Sequence, residues 1–305
     1  MNSLFPPGYL FFGGLFASLF LALVAGGITV FIYTNNNSHT PPSVATLFPT
    51  VLTLDPASIG AQSAIIYDPS NNRVLFAKNS TEQLPLASLT KLMTAEVVLE
   101  KKLPNTPVRI TLDDLRPEGD WGFRVGDVVS LGDLLRFGLV ASSNDAMAAA
   151  ASTLGNGYLA DMNLAAVNLG LTQTYFLNPT GLDLNQTTSG GYGSVYDLAR
   201  LTALFYKKHP EFFERTIQPS VSIRVGGRTL TAKATFVPLS AIPGFIGAKT
   251  GYTDLAGGNL VVLFDAEIGH PLVAVVFGST EKGRFNDIRK LITAVRNADA
   301  AHALP

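Results

Sequence analysis

The apolar and polar positions of this chain divide it into stretches of different texture. From Tyr9 to Tyr33 runs an uncharged segment rich in Leu, Phe, Ala and Gly, long enough as a helix to cross a hydrocarbon core about 30 Å thick. The pattern predicts a transmembrane anchor over residues 9–33, behind a short tail over 1–8. A cleaved signal peptide is the rival reading, but this run is longer than a usual signal core, has no basic segment ahead of it and offers no clear A-x-A site. Residues 34–57, rich in Asn, Ser, Thr and Pro, bury little and are expected to form a flexible tether. A folded body follows over residues 58–300.

That body opens on Ala61-Gln-Ser-Ala-Ile-Ile-Tyr-Asp68, the turn-like Pro69-Ser-Asn-Asn72 and a second β-prone run over 73–76, together a predicted hairpin. Helical periodicity then dominates over 89–101, 131–139, 144–154, 157–169 and 196–207. Strand patterns return over 221–225, 228–232, 258–264 and 272–278, before a final helix over 284–296. Strands at both ends with helices between them predict an α+β fold: an antiparallel β-sheet flanked by helices, with an inserted helical subdomain and closed late in the chain. Gly190-Gly-Tyr-Gly193 lacks the strand-to-helix setting of a nucleotide loop and reads as a turn.

Composition narrows the function. The 305 residues are 47% hydrophobic and carry a formal charge of −1, which offers a sizeable core and no basic field for nucleic acid. Cysteine is absent, which removes disulfides and thiolate chemistry together. His39, His209, His270 and His302 show no ligand-like spacing, and His270 before Pro271 reads as part of a turn. No metal or cofactor is implied.

The candidate chemistry starts at Ser88-Leu-Thr-Lys91. Residues three apart share a helix face, so the hydroxyl and the amine can enter one cleft. Pro85 suits a first helical turn, which places Ser88 near a helix N-terminus where backbone N–H groups favour an oxyanion. A serine needs a neighbour to take its proton, and Lys91 can do so when an apolar setting and a second cation lower its pKa. Alone the match is weak, because Ser279-Thr-Glu-Lys282 repeats it in a polar turn. Ser142-Ser-Asn144 also reads as ordinary helix capping, and Ser70-Asn-Asn72 repeats that pattern. Lys249-Thr-Gly251 reads alternatively as a turn leading into a strand. The order is the specific signal: Ser-x-x-Lys, then Ser-x-Asn, then Lys-Thr-Gly, an order that the decoys at Ser70 and Ser279 fail.

In that order the motifs resemble the penicillin-recognising serine enzymes, and within them the D-alanyl-D-alanine carboxypeptidases, the low-molecular-mass penicillin-binding proteins. Further segments carry the resemblance: 87–95, Ser143-Asn-Asp-Ala146, Met162-Asn163, Asn178-Pro-Thr-Gly-Leu-Asp183, 249–254 with Ala256-Gly257, and Lys282-Gly-Arg284. It covers about Ala61 to Val295 and implies a β-lactamase/transpeptidase-like fold. It implies Ser88 as acyl-accepting nucleophile, Lys91 as general base and Ser142 as proton relay to the leaving amine. Asn144 would hold the substrate amide carbonyl, while Lys249 and Thr250, helped by Arg284, would bind the terminal carboxylate. Gly251 permits close backbone approach, and the N–H groups of Ser88 and Tyr252 would form the oxyanion hole.

The implied substrate is the D-Ala-D-Ala end of a peptidoglycan stem peptide, with β-lactams as covalent inhibitors and no nucleic acid partner. Three features depart from the family pattern. Ser143 stands where many relatives have Gly, the region from Arg228 to Gly247 is only loosely similar, and the chain stops soon after the final helix, without the frequent C-terminal β-rich domain. The N-terminal span would then supply the anchorage, giving a single-pass membrane protein with its catalytic domain outside the cytoplasm, or a secreted one after cleavage. A DD-endopeptidase shares the chemistry. A class A β-lactamase needs a Glu-x-x-Leu-Asn segment, which neither Glu211 nor Glu214 supplies. A catalytically silent wall-binding module would not need Ser88, Lys91, Ser142, Asn144 and Lys249 intact.

Overall fold

The computed structural model describes residues 52–302 other than 120, 237, 238, 240 and 241. The stretch 9–33 read as a membrane anchor lies outside the described residues, among which no helix is long and apolar enough to cross a membrane. Most of the 34–57 stretch also lies outside, but Leu52 is already buried and its N–H donates to the Leu75 carbonyl at 2.8 Å, ahead of the start expected at Ser58.

The strands and helices are, in chain order, β1 (Ser63–Asp68), β2 (Arg73–Lys78), β3 (Leu84–Pro85), α1 (Thr90–Lys101), β4 (Pro107–Arg109), β5 (Val128–Ser130), α2 (Leu131–Val140), α3 (Asn144–Ser152) and α4 (Tyr158–Asn168). There follow β6 (Tyr175–Phe176), β7 (Gly191–Gly193), α5 (Val195–Lys208), α6 (Pro210–Phe213), β8 (Ser220–Val225), β9 (Arg228–Lys233), β10 (Phe245–Thr253), β11 (Gly257–Glu267), β12 (His270–Ser279) and α7 (Gly283–His302).

The main sheet is antiparallel in the order β10-β11-β12-β1-β2. Strand β1, from the start of the body, pairs with β12 from its end, Ser63 opposite Phe277, so the sheet closes only when the last strand is in place. Its side chains alternate between two buried faces. Ile65, Val261, Val273 and Val275 join α1, α2 and α5 in one core, while Ala64, Ile66, Val262 and Val276 pack with Ile288, Leu291 and Val295 of α7 in the other. Because both faces are covered, β11 and β12 read as apolar runs rather than as alternation. Each buried Val, Ile or Leu side chain among them contributes roughly 1.5–3 kcal/mol by leaving water.

The α+β expectation is therefore met, with α1 to α5 as the helical insertion between β2 and the late strands. Local readings differ in four places. Pro85 is not in a first helical turn: it ends β3, and Ser88 sits in a 3₁₀ turn, Ala87–Leu89, that runs into α1. Gly191–Gly193 is a strand between β3 and β6 rather than a turn. Its two glycines hide the strand signal but let neighbouring backbones close in. Lys249-Thr-Gly251 lies inside β10, not ahead of it. His270 opens β12, with Nε2 3.2 Å from the Asp68 carboxylate.

Candidate active site

Ser88 is set by close packing around one turn. Ala87 before it has a positive φ of 48°, costly for a residue with a Cβ and sustained only by the surroundings. Gly181 presses on this turn with its own φ at +81°, and a Cβ there would lie 1.8 Å from the Ala87 carbonyl oxygen. From the other side comes Gly251 of β10, where a Cβ would lie 3.1 Å from the Leu86 carbonyl oxygen and 3.3 Å from the Ser88 nitrogen. Glycine at both positions lets a loop and the sheet edge close on the backbone of the nucleophile candidate.

One turn along, Lys91 is fully buried while Ser88 stays half-exposed. Lys91 Nζ lies 2.7 Å from Ser88 Oγ, 2.8 Å from Asn144 Oδ1 and 2.8 Å from the Thr180 carbonyl oxygen. The last two are acceptors only, so they take N–H bonds from the amine. A neutral amine has two N–H bonds and one lone pair, and the lone pair is left to accept the Ser88 hydroxyl proton. Burial, with a smaller contribution from the Lys249 charge, pushes the Lys91 pKa well below the ordinary lysine value, which favours that neutral form.

Ser142 and Ser143 take different roles. Ser143 caps α3, its Oγ accepting the Ala146 N–H at 3.2 Å. Ser142 takes a positive φ of 61° instead and accepts a hydrogen bond from Lys249 Nζ at 2.8 Å. Asn144, the first residue of α3, is held at its other end by donating to the Glu118 carbonyl at 2.7 Å.

Lys249 is buried, also donates to the Thr250 carbonyl at 2.9 Å, and has its pKa lowered to about 7, first by desolvation and then by the Arg284 charge. Arg284 enters from the first turn of α7 and donates to the Gly251 carbonyl at 2.6 Å. Tyr252, half-exposed, lines with Trp121, Asn144, Thr180 and Asp183 a cleft of about 880 Å³.

The structure thus gathers Ser88, Lys91 and Asn144 into one hydrogen-bonded set, and Ser142, Lys249 and Thr250 into a second that adjoins it. Gly251 packs on the Ser88 turn, with Arg284 behind it. The decoys fall elsewhere: Ser279 Oγ donates to Asp287 Oδ2 at 2.7 Å, and the Ser70 N–H donates to Asp68 Oδ1 at 2.9 Å in the first hairpin turn. Among the described residues no group of His, Asp and Glu could hold a metal ion.

Residue-by-residue reading missed the contributors that act through backbone carbonyls, those of Thr180 and Glu118. Thr180 supplies its carbonyl because Asn178 folds the loop, its Oδ1 accepting the Thr180 N–H at 3.1 Å and the Gly181 N–H at 2.7 Å. The Asn-Pro-Thr-Gly segment was a visible signal, but nothing local says which atom it presents.

A two-core body that brings these three motifs together in adjoining hydrogen-bonded sets has the form of a penicillin-recognising serine peptidase. The chain belongs to the D-alanyl-D-alanine carboxypeptidase family, whose sequence model matches residues 50–281. It is similar to the D-alanyl-D-alanine carboxypeptidase DacD of Escherichia coli, at 33% identity over 78% of this chain and 63% of that one. It is also similar to a D-alanyl-D-alanine endopeptidase of Pseudomonas aeruginosa, at 32% identity over 67% of each chain. Among solved structures, penicillin-binding protein D2 of Listeria monocytogenes in an ampicillin-bound form superposes with a TM-score of 0.65 at 28% identity, over 77% of this chain and 97% of that one. The chain spans less than two thirds of the length of two of the carboxypeptidases it matches, 63% of DacD of E. coli and 64% of DacF of Bacillus subtilis.

Proposed function

We propose that this protein is a serine D-Ala-D-Ala carboxypeptidase that trims the terminal D-Ala from peptidoglycan stem peptides. The observation that carries this reading is the Lys91 amine, buried, with two acceptor-only partners and its third contact on Ser88 Oγ. Lys91 takes the Ser88 proton as Oγ attacks the carbonyl carbon of the penultimate D-Ala. The negative charge that develops on the carbonyl oxygen is met by the N–H groups of Ser88 and Tyr252, a device worth about 3–4 kcal/mol per donor. As the tetrahedral centre collapses, the C–N bond breaks and the departing amine takes a proton relayed through Ser142. Water then attacks the Ser88 ester, yielding the shortened peptide and free Ser88.

Lys249, Thr250 and, electrostatically, Arg284 receive the terminal carboxylate, while Asn144 holds the substrate amide. β-Lactams acylate Ser88 as covalent inhibitors in the same reading, which the ampicillin-bound Listeria relative supports. The uncharged stretch 9–33 anchors the protein in the membrane as a single span, with the catalytic domain outside the cytoplasm where peptidoglycan lies. A second reading, endopeptidase action on cross-linked peptides, draws on the similar P. aeruginosa endopeptidase.

Incubating the protein with pentapeptide and with cross-linked muropeptides, and weighing the products, tests both. Loss of one D-Ala from pentapeptide is the expected result, and cleavage of cross-links alone would favour the endopeptidase. Failure to cleave either, together with no labelling by fluorescent penicillin, would end the proposal.

A further inference from the structure

Thr250 meets a partner outside the three motifs. Its Oγ1, in a side chain that is almost fully buried, donates to Thr235 Oγ1 at 2.6 Å. Thr235 lies beyond β9, in the stretch from Arg228 to Gly247 that is only loosely similar to the family pattern. Its neighbours on both sides, Ala234 and Phe236, are buried in the core beneath α7. The Ala234 N–H is tied to the Pro219 carbonyl at 2.9 Å, and the Phe236 ring packs 5.4 Å from that of Phe245. With its neighbours turned inward and pinned, the Thr235 side chain faces the strand that carries Lys249 and Thr250.

We infer that Thr235 is a positioning residue for recognition of the substrate's terminal carboxylate: its hydroxyl accepts the hydrogen bond from Thr250 in the free enzyme and donates one to Thr250 Oγ1 when the carboxylate binds. A hydroxyl has one proton and two lone pairs, and both hydroxyls rotate about their C–O bonds. A carboxylate accepts only, so Thr250 must turn its proton toward the ligand. Thr250 Oγ1 is then left desolvated with lone pairs to fill, and Thr235 is the donor beside it. Proton order reverses along the chain Thr235 to Thr250 to carboxylate, and the anion polarises both bonds. Without the Thr235 hydroxyl, Thr250 would bind the anion as a weaker donor and lose its fixed rotamer.

This inference rests on the carboxypeptidase reading above, so the experiment separates the two. kcat and KM are measured for wild type, Thr235→Val and Thr235→Ser on an acyl-D-Ala-D-Ala peptide and on the same peptide with its terminal carboxylate amidated. Acylation by benzylpenicillin, which carries a carboxylate, is measured in parallel. Valine keeps the branched shape and removes the hydroxyl. Thr235→Val is expected to lower kcat/KM on the carboxylate peptide by roughly tenfold, chiefly through KM, to slow acylation similarly, and to change the amide substrate less than about twofold. Thr235→Ser should restore most of the loss. Equal losses by Thr235→Val on both peptides, or none, would overturn the inference while leaving the carboxypeptidase reading intact. A wild-type protein that neither cleaves the peptide nor reacts with benzylpenicillin would overturn both.

Discussion

The carbonyl oxygen of Thr180 lies 2.8 Å from Lys91 Nζ, although the two residues belong to segments separated by three helices. That contact fixes the direction in which the amine can act. With Thr180 and Asn144 Oδ1 taking its N–H bonds, an uncharged Lys91 has its lone pair aimed at Ser88.

Replacing Ser88 tests the chemistry directly. Ser88→Ala should lose acylation by fluorescent penicillin and turnover of pentapeptide by about 10⁴-fold or more, while keeping the wild-type far-UV circular dichroism. Lys91→Met should behave alike, because a hydroxyl without its base is a poor nucleophile.

The two buried lysines predict a bell-shaped pH dependence of kcat/KM. On the acid side, Lys91 gains a proton as pH falls through its depressed pKa and stops acting as a base. On the alkaline side, Lys249 loses its charge above about 7 and holds the carboxylate less well. An amidated substrate should keep the acid limb and flatten the alkaline one. Identical profiles for both substrates would count against the carboxylate role of Lys249.

Stability should rise with pH across the same range. Lys249 titrates at about 7 in the folded protein, but near 10.4 when unfolded. Between those values the unfolded state binds more protons, so unfolding becomes harder as pH increases, by at most about 1.4 kcal/mol per pH unit from this group. Denaturant midpoints measured at pH 7 and 9 should climb in the wild type and climb less in Lys249→Met.

Gly181 tests the packing behind the Ser88 turn. Its φ of +81° and the 1.8 Å approach of a Cβ to the Ala87 carbonyl leave no room for a side chain. Gly181→Ala should cost at least about 2 kcal/mol in urea unfolding. It should also slow acylation, because relief of the clash moves the Thr180 carbonyl or the Ser88 turn.

No glutamate stands in a Glu-x-x-Leu-Asn setting to activate a deacylating water. Penicillin-labelled protein should therefore retain its label far longer than a β-lactamase would, as intact-mass measurements over hours can show. Rapid nitrocefin hydrolysis would contradict this.

Much of the site was legible in order along the chain. The three-residue spacing of Ser88 and Lys91 survives in the structure because it is a property of one helical turn, and Ser143 caps α3 as its residue type suggests. Lys249-Thr-Gly251 was harder to place. Its glycine resembles turn chemistry, and only pairing with β11, Lys249 opposite Val261, makes it strand. Gly191–Gly193 misled for the same reason.

Sequence alone determined the residue types, their order and the local periodicities, because side-chain spacing on a helix or strand follows from backbone geometry within a few residues. Tertiary structure alone decided that Thr180 and Glu118 lend carbonyls, that Ser142 rather than Ser143 faces Lys249, and that Thr235 meets Thr250. Those contacts join segments far apart in the chain. They exist because burying both faces of the sheet forces the segments together, and local sequence carries no record of which backbone atoms then meet.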